Sequence, residues 1–241
     1  MQRRKVIKGG LVLIASATAA SIFRPAGAAA KIFIGGDKWF SPDGAIPRRV
    51  DASQRVFFSE REAQLVSAIF DRLIPADDLS VSASEAGCVA FIDHQLTTAY
   101  GDADHRYKLG PIVAGTPEQG EQTLITPAQV YRQGLSAMDK HCQQLSGKSF
   151  TELSDAEQDH YLEQMEAGKF SYGEISSNRL FNQMLSNAKE GFLADPLYGG
   201  NKNMVGWKMI GFPGARYDYR DYINIKGKKI ELEPISLLNL G

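Results

Sequence analysis

The sequence predicts an all-α domain with long loops, on three observations. Apolar residues recur at helical spacing in five separate stretches between Ser59 and Phe192. Three of those stretches open on a Ser or Thr followed three residues later by Glu or Gln, the signature of a capped helix start. Strand-like alternation is confined to one short segment near the C-terminus.

The first helix begins at Ser59, where Ser59 and Glu62 form a capping box. Leu65, Val66, Ile69, Phe70 and Leu73 then share one face, and Pro75 ends the run. A second helix is expected over 84–96, with Val89, Ile92 and Leu96 inward. Residues 100–124 are rich in glycine and proline and read as a long surface loop, a type of element often used in binding. Thr126, Pro127 and Gln129 open a third helix with a buried stripe of Val130, Tyr131, Leu135, Met138, Cys142 and Leu145. Ser154 and Glu157 cap a fourth, with Tyr161, Leu162 and Met165 inward and Gly168 as its stop. Leu180, Phe181, Met184, Leu185, Ala188 and Phe192 mark a fifth, ending near Asp195 and Pro196.

Beyond Asp195 the character changes. Residues 195–222 interleave glycines with Tyr198, Trp207, Phe212, Tyr217, Tyr219 and Tyr222. Glycine permits close backbone approach, and exposed aromatics are enriched at interfaces, so the block reads equally as an irregular packed lobe and as a partner surface. As a surface it offers Trp207, Phe212, Tyr198 and Tyr217. Ile223 and Ile225, then Ile230 and Leu232, alternate about Gly227, which predicts a minor β-hairpin.

The N-terminus carries a different message. Arg3 and Arg4 are followed by Val6, Ile7 and Lys8, the twin-arginine pattern of a Tat signal. A weakly apolar, uncharged run from Gly9 to Phe23 follows, and then the small-residue sites Ala26-Gly27-Ala28 and Ala28-Ala29-Ala30. That run is short and Ala-, Ser- and Thr-rich for a membrane span, although an uncleaved anchor is the competing reading. Residues 1–30 are therefore expected to be a signal peptide recognised by the Tat translocon and cleaved within Ala28 to Lys31. Residues 31–56 are then an extended arm, and 57–241 one soluble helical domain, periplasmic in location. The Tat route carries folded proteins, which suits a chain that acquires a partner before export.

Charge narrows the partners. Residues 1–30 hold five basic and no acidic residues, so the remainder carries 22 basic against 28 acidic groups. Nucleic acid is not an expected partner, because phosphate binding needs clustered positive charge.

The search for chemistry finds no dinucleotide Gly-x-Gly-x-x-Gly, haem-attaching Cys-x-x-Cys-His, P-loop, His-Glu-x-x-His or Gly-x-Ser-x-Gly pattern, so no catalytic, cofactor-binding or metal residues are assigned. Glu157 and His160 form one Glu-x-x-His pair, half of a di-iron carboxylate site, but Glu157 already serves as a cap. His94 and His141 fall on separate helices with no nucleophile pattern beside them. Cys88 and Cys142 are open to two readings, a disulfide permitted by export or two buried thiols.

Two long motifs carry a resemblance: Glu190-Gly-Phe-Leu-Ala-Asp-Pro-Leu-Tyr-Gly-Gly-Asn201 and Met204-Val-Gly-Trp-Lys-Met-Ile-Gly-Phe-Pro-Gly-Ala-Arg216. With Phe70-Asp-Arg-Leu-Ile-Pro-Ala-Asp77, Ile92-Asp-His-Gln-Leu96 and Leu124-Ile-Thr-Pro-Ala-Gln-Val-Tyr-Arg132, the chain from about 57 to 222 resembles the gluconate 2-dehydrogenase subunit 3 family. The resemblance implies a non-catalytic small subunit of a membrane-bound dehydrogenase. Its implied partners are an FAD-containing dehydrogenase subunit and a multi-haem cytochrome c subunit that passes electrons to quinone, so FAD and haem c belong to those subunits. The small subunit of such a complex carries the Tat signal and supports maturation and export of the flavoprotein. The family has no established catalytic residues to carry over. Gluconate is the default substrate, with 2-ketogluconate or another sugar or polyol as alternatives. The competing reading is a free-standing periplasmic helical protein using Glu157 and His160 for metal or redox chemistry.

Overall fold

The computed structural model describes residues 49–239 except 107, 108, 114, 120, 121 and 217. The expected signal peptide with Arg3 and Arg4, residues 31–48 of the arm, and Tyr217 lie outside the described residues.

The described chain is helical, as the periodicity requires. Its α-helices are α1 (Glu60–Leu73), α2 (Cys88–Gln95), α3 (Pro127–Ser146), α4 (Asp155–Glu166), α5 (Ser177–Leu193) and α6 (Val205–Ile210). The capping boxes at Ser59, Thr126 and Ser154 all form, each pairing the cap side chain with Glu62, Gln129 or Glu157. Each supplies partners for helix-end amides that would otherwise have none, a contribution of about 1 kcal/mol per cap.

Helix α5 is the hub and packs against α1, α2, α3, α4 and α6. Around it Val66, Ile69, Phe70, Ile92, Tyr131, Met138, Met165, Leu180 and Met184 are fully buried. These are mostly the positions the helical spacing selects. Leu145 is a correction: it is 62% exposed, in the last turn of α3 before Gly147 ends the helix. α2 is also shorter than expected. Gly87 holds φ at +87, so residues 83–87 turn and the helix begins only at Cys88. Inside α2, Cys88, Phe91, Ile92 and Asp93 are buried, while Val89 is half-buried.

The hairpin lies elsewhere than the alternation suggested. The two-stranded antiparallel pair is β1 (Ser171–Tyr172) and β2 (Ile175–Ser176), with Ser171 opposite Ser176 and Tyr172 opposite Ile175. It forms because Tyr172 and Ile175 are buried against the helices. Residues 223–232 form no strand, and Ile223, Ile225 and Ile230 face solvent. A two-stranded ribbon with no apolar face to bury is marginal on its own.

Candidate functional site

The glycine and aromatic block is built on the C-terminal end of α5, where a helix leaves carbonyls without partners. The Trp207 indole N–H donates to the Leu193 carbonyl at 2.7 Å, and the Asn201 amide donates to the Ala194 carbonyl at 2.8 Å. Asn201 is fully buried in a left-handed conformation, and its side-chain oxygen accepts the Gly206 N–H at 2.8 Å. Gly206 is required there, because a Cβ would stand 2.0 Å from the Phe192 carbonyl oxygen. The block is thus a cap for α5 made of side chains, with one glycine allowing the two backbones to touch.

Two further ties hold this lobe. The Asp195 carboxylate accepts from the Leu197 N–H at 2.9 Å, the Ser236 hydroxyl at 2.7 Å and the Leu237 N–H at 2.9 Å. Gly214 bridges to Ile235, and the Ala215 N–H donates to the Ile235 carbonyl at 2.7 Å. Towards the segments that precede α1 and α2, the Val50 N–H donates to the Leu197 carbonyl and the Lys202 N–H to the Ala86 carbonyl, both at 2.9 Å.

These contacts divide the aromatic residues expected at a partner surface. Trp207 is 5% exposed and belongs to the packing of this chain. Phe212 stacks edge-on against it with ring centroids 5.2 Å apart, yet is itself 44% exposed. Tyr198 is exposed as well. The sequence reading missed Met209 and Ile210, which are exposed beside Phe212, and Leu193, exposed at the end of α5. The signal was present: once Trp207 faces inward on a one-and-a-half-turn helix, the next residues face out. The lobe therefore has a locked inner side and an apolar outer side.

A polar cleft of about 1010 Å³ lies between residues 100–127 and α5, lined in part by Tyr100, Arg106, Gln122, Arg179, Gln183 and Glu190. Arg106 and Arg179 both donate to the Ile125 carbonyl, at 3.3 and 3.1 Å. At its inner end buried Asn187 accepts from the Tyr131 hydroxyl at 3.1 Å and donates to Glu190 at 3.0 Å. The cleft is a solvated helix face under the long loop.

The remaining candidates are structural where the structure describes them. Cys88 and Cys142 are two separate buried thiols rather than a pair. Burial, with Asp71 nearby, pushes the Cys88 thiol up to about 12, and burial raises Cys142, so neither is a ready thiolate. The Glu157 carboxylate accepts the Ser154 N–H at 2.8 Å and its hydroxyl at 2.7 Å, and His160 pairs with Gln164 at 2.6 Å. Among the described residues no group of three or more His, Cys, Asp and Glu side chains is placed to hold a metal ion. His94 lies near the carbonyls of Asp51 and Gln54, and His141 pairs with the Tyr161 hydroxyl at 2.9 Å.

The sequence model of gluconate 2-dehydrogenase subunit 3 matches residues 60–214. The chain belongs to the gluconate 2-dehydrogenase subunit 3 family. The family match runs from the first residue of α1 to Gly214, where the chain bridges to Ile235, and so takes in the six helices of the described residues with Trp207, Asn201 and Gly206 of the lobe on α5. It makes the chain kin to a small subunit of a dehydrogenase complex. Residues 215–241 fall outside the match. No curated protein and no solved structure matches the chain.

Proposed function

We propose that this chain is the non-catalytic small subunit of an exported, membrane-bound sugar-acid dehydrogenase of the gluconate 2-dehydrogenase kind. It docks on an FAD-containing subunit, supports its folding and stability, and carries it through the Tat translocon to the periplasm, where a multi-haem cytochrome c subunit takes the electrons. The observation that carries the reading is the α5 lobe. Its inner side is fixed by Trp207 and Asn201, while Leu193, Tyr198, Met209, Ile210 and Phe212 remain exposed on it. Exposed apolar residues gathered on one rigid element mark a protein contact.

The twin-arginine pattern at Arg3 and Arg4 supports the export role, since a plain helical domain has no need of a route for folded cargo. A flavoprotein loaded with its cofactor before export supplies that need. Replacing Arg3 and Arg4 together by Lys keeps the charge but loses the guanidinium forks. Both this chain and the flavoprotein are then expected in the cytoplasm, with dehydrogenase activity absent from the periplasmic side, as read by fractionation with antibodies to each. A flavoprotein that still reaches the periplasm would reduce this chain's role to stabilising the complex after export.

A further inference from the structure

The alternating segment that forms no hairpin is left as an exposed apolar and basic loop. Ile223 is 71% exposed, and Ile225 and Ile230 also face solvent. Tyr219, Tyr222, Ile223 and Ile230 share one shallow groove of about 660 Å³ with Asp218 and Arg220, which pair with each other. From Tyr219 to Ile230 the chain holds Arg220, Lys226, Lys228 and Lys229 against one carboxylate, Asp221, in a protein of formal net charge −1. Lys229 pairs with Glu231 at 3.2 Å, while Lys226 and Lys228 have no ion-pair partner among the described residues.

From this we infer that residues 219–230 are a peripheral contact for an anionic membrane surface. The isoleucines enter the headgroup boundary while the lysines reach lipid phosphates. Lysine on its long stem suits that boundary, with the charge in the polar layer and the methylenes below it. The same lysines argue against a protein partner, because interface cores are depleted in lysine. The segment also lies outside residues 60–214, the stretch the family shares, so it is separable from the lobe that carries the proposed subunit contact. The amides of residues 226–233 make no backbone hydrogen bond among the described residues. They would be costly in the hydrocarbon, so the loop lies in the headgroup layer, where water and phosphate supply acceptors.

The test uses the chain from Lys31 onward, which retains the compact unit Lys38–Gly241 and omits the apolar run of residues 9–23. It is sedimented with vesicles of phosphatidylcholine alone and of phosphatidylcholine mixed equally with phosphatidylglycerol. Binding is expected only to the anionic vesicles and is weakened by salt. Lys226→Gln, Lys228→Gln and Lys229→Gln together reduce it on the order of 100-fold, and Ile223→Asp with Ile225→Asp also removes it. All five positions are exposed, and unchanged melting of the variants confirms that the fold is intact. Equal partition onto neutral and anionic vesicles, or no sedimentation with either, overturns the proposal. So does vesicle binding that survives both sets of substitutions. The assay needs no partner, so its failure leaves the subunit reading untouched.

Discussion

Asp93 shows how much of this structure rests on single polar side chains. It is buried, and its carboxylate accepts the backbone N–H groups of Val56 at 2.6 Å, Phe57 at 3.1 Å and Phe58 at 2.6 Å. Three amides of the chain entering α1 are thereby fastened to α2. Arg132 reinforces the same corner by donating to the Phe57 carbonyl at 2.8 Å while its guanidinium lies 4.2 Å from the Phe57 ring centre. Asp93→Ala leaves three amides without acceptors at a partly dry site and should cost about 3 kcal/mol, at roughly 1 kcal/mol or more per orphaned group. Asp93→Asn should cost less, since one oxygen still accepts. Urea unfolding of both variants checks this, and a loss below about 1 kcal/mol for Asp93→Ala would place the amides in water instead. Nothing in the sequence around Ile92-Asp-His94 announces this role, because the acceptor and its donors lie more than 30 positions apart. The same holds for Asn201, whose task of binding both Ala194 and Gly206 is visible only once α5 is in place.

At the scale of the element, helix starts were legible because capping is local. Ser59, Thr126 and Ser154 each find their partner three residues away, and the structure builds every one. The same local chemistry sets a pH dependence. Glu157 is held below the ordinary glutamate range by the Ser154 hydroxyl and amide, and Glu152 by the Ser149 amide and hydroxyl. For Glu62, partial burial works in the opposite direction and is outweighed by the Ser59 amide and Arg132. A carboxyl with a lowered folded-state pKa contributes fully above its unfolded pKa, and that contribution is lost as pH falls through the folded value. On the alkaline side burial pushes Cys88 and Tyr172 up to about 12, which favours their neutral forms in the fold. Stability is therefore expected to be level near neutrality, to fall in acid, and to fall again as pH rises from the ordinary thiol range toward 12. Denaturant midpoints across pH measure it. Glu157→Gln keeps the cap geometry but removes the titration, so it should flatten the acid limb; an unchanged limb would mean the cap glutamates do not set it. What local pattern could not supply was tertiary cover. Ile223-Asn-Ile225 alternates as well as any strand, yet a strand needs a face to bury against, and Tyr172 with Ile175 found one where the tail did not.

For the whole molecule, the sequence motifs and the structure meet at the lobe on α5. The long Gly-rich block was the specific signal of family, and the fold explains its composition: Trp207, Asn201 and Gly206 serve the end of one helix. Which of its aromatic residues remain outside was not legible, because inward and outward positions on the short helix α6 are set by where Trp207 is anchored. The central claim is that this outer side binds a flavoprotein subunit, and one measurement addresses it most directly. The chain is affinity-purified from the periplasmic face of cells as wild type and as Met209→Asp with Ile210→Asp, both exposed positions. Interfaces concentrate their energy in a few apolar and aromatic anchors worth about 2 kcal/mol or more each, so the wild type should bring down an FAD-containing subunit in fixed ratio and the variant should lose most of it while melting normally. A chain that purifies alone, or one that holds its flavin partner equally well with both aspartates in place, would contradict the account.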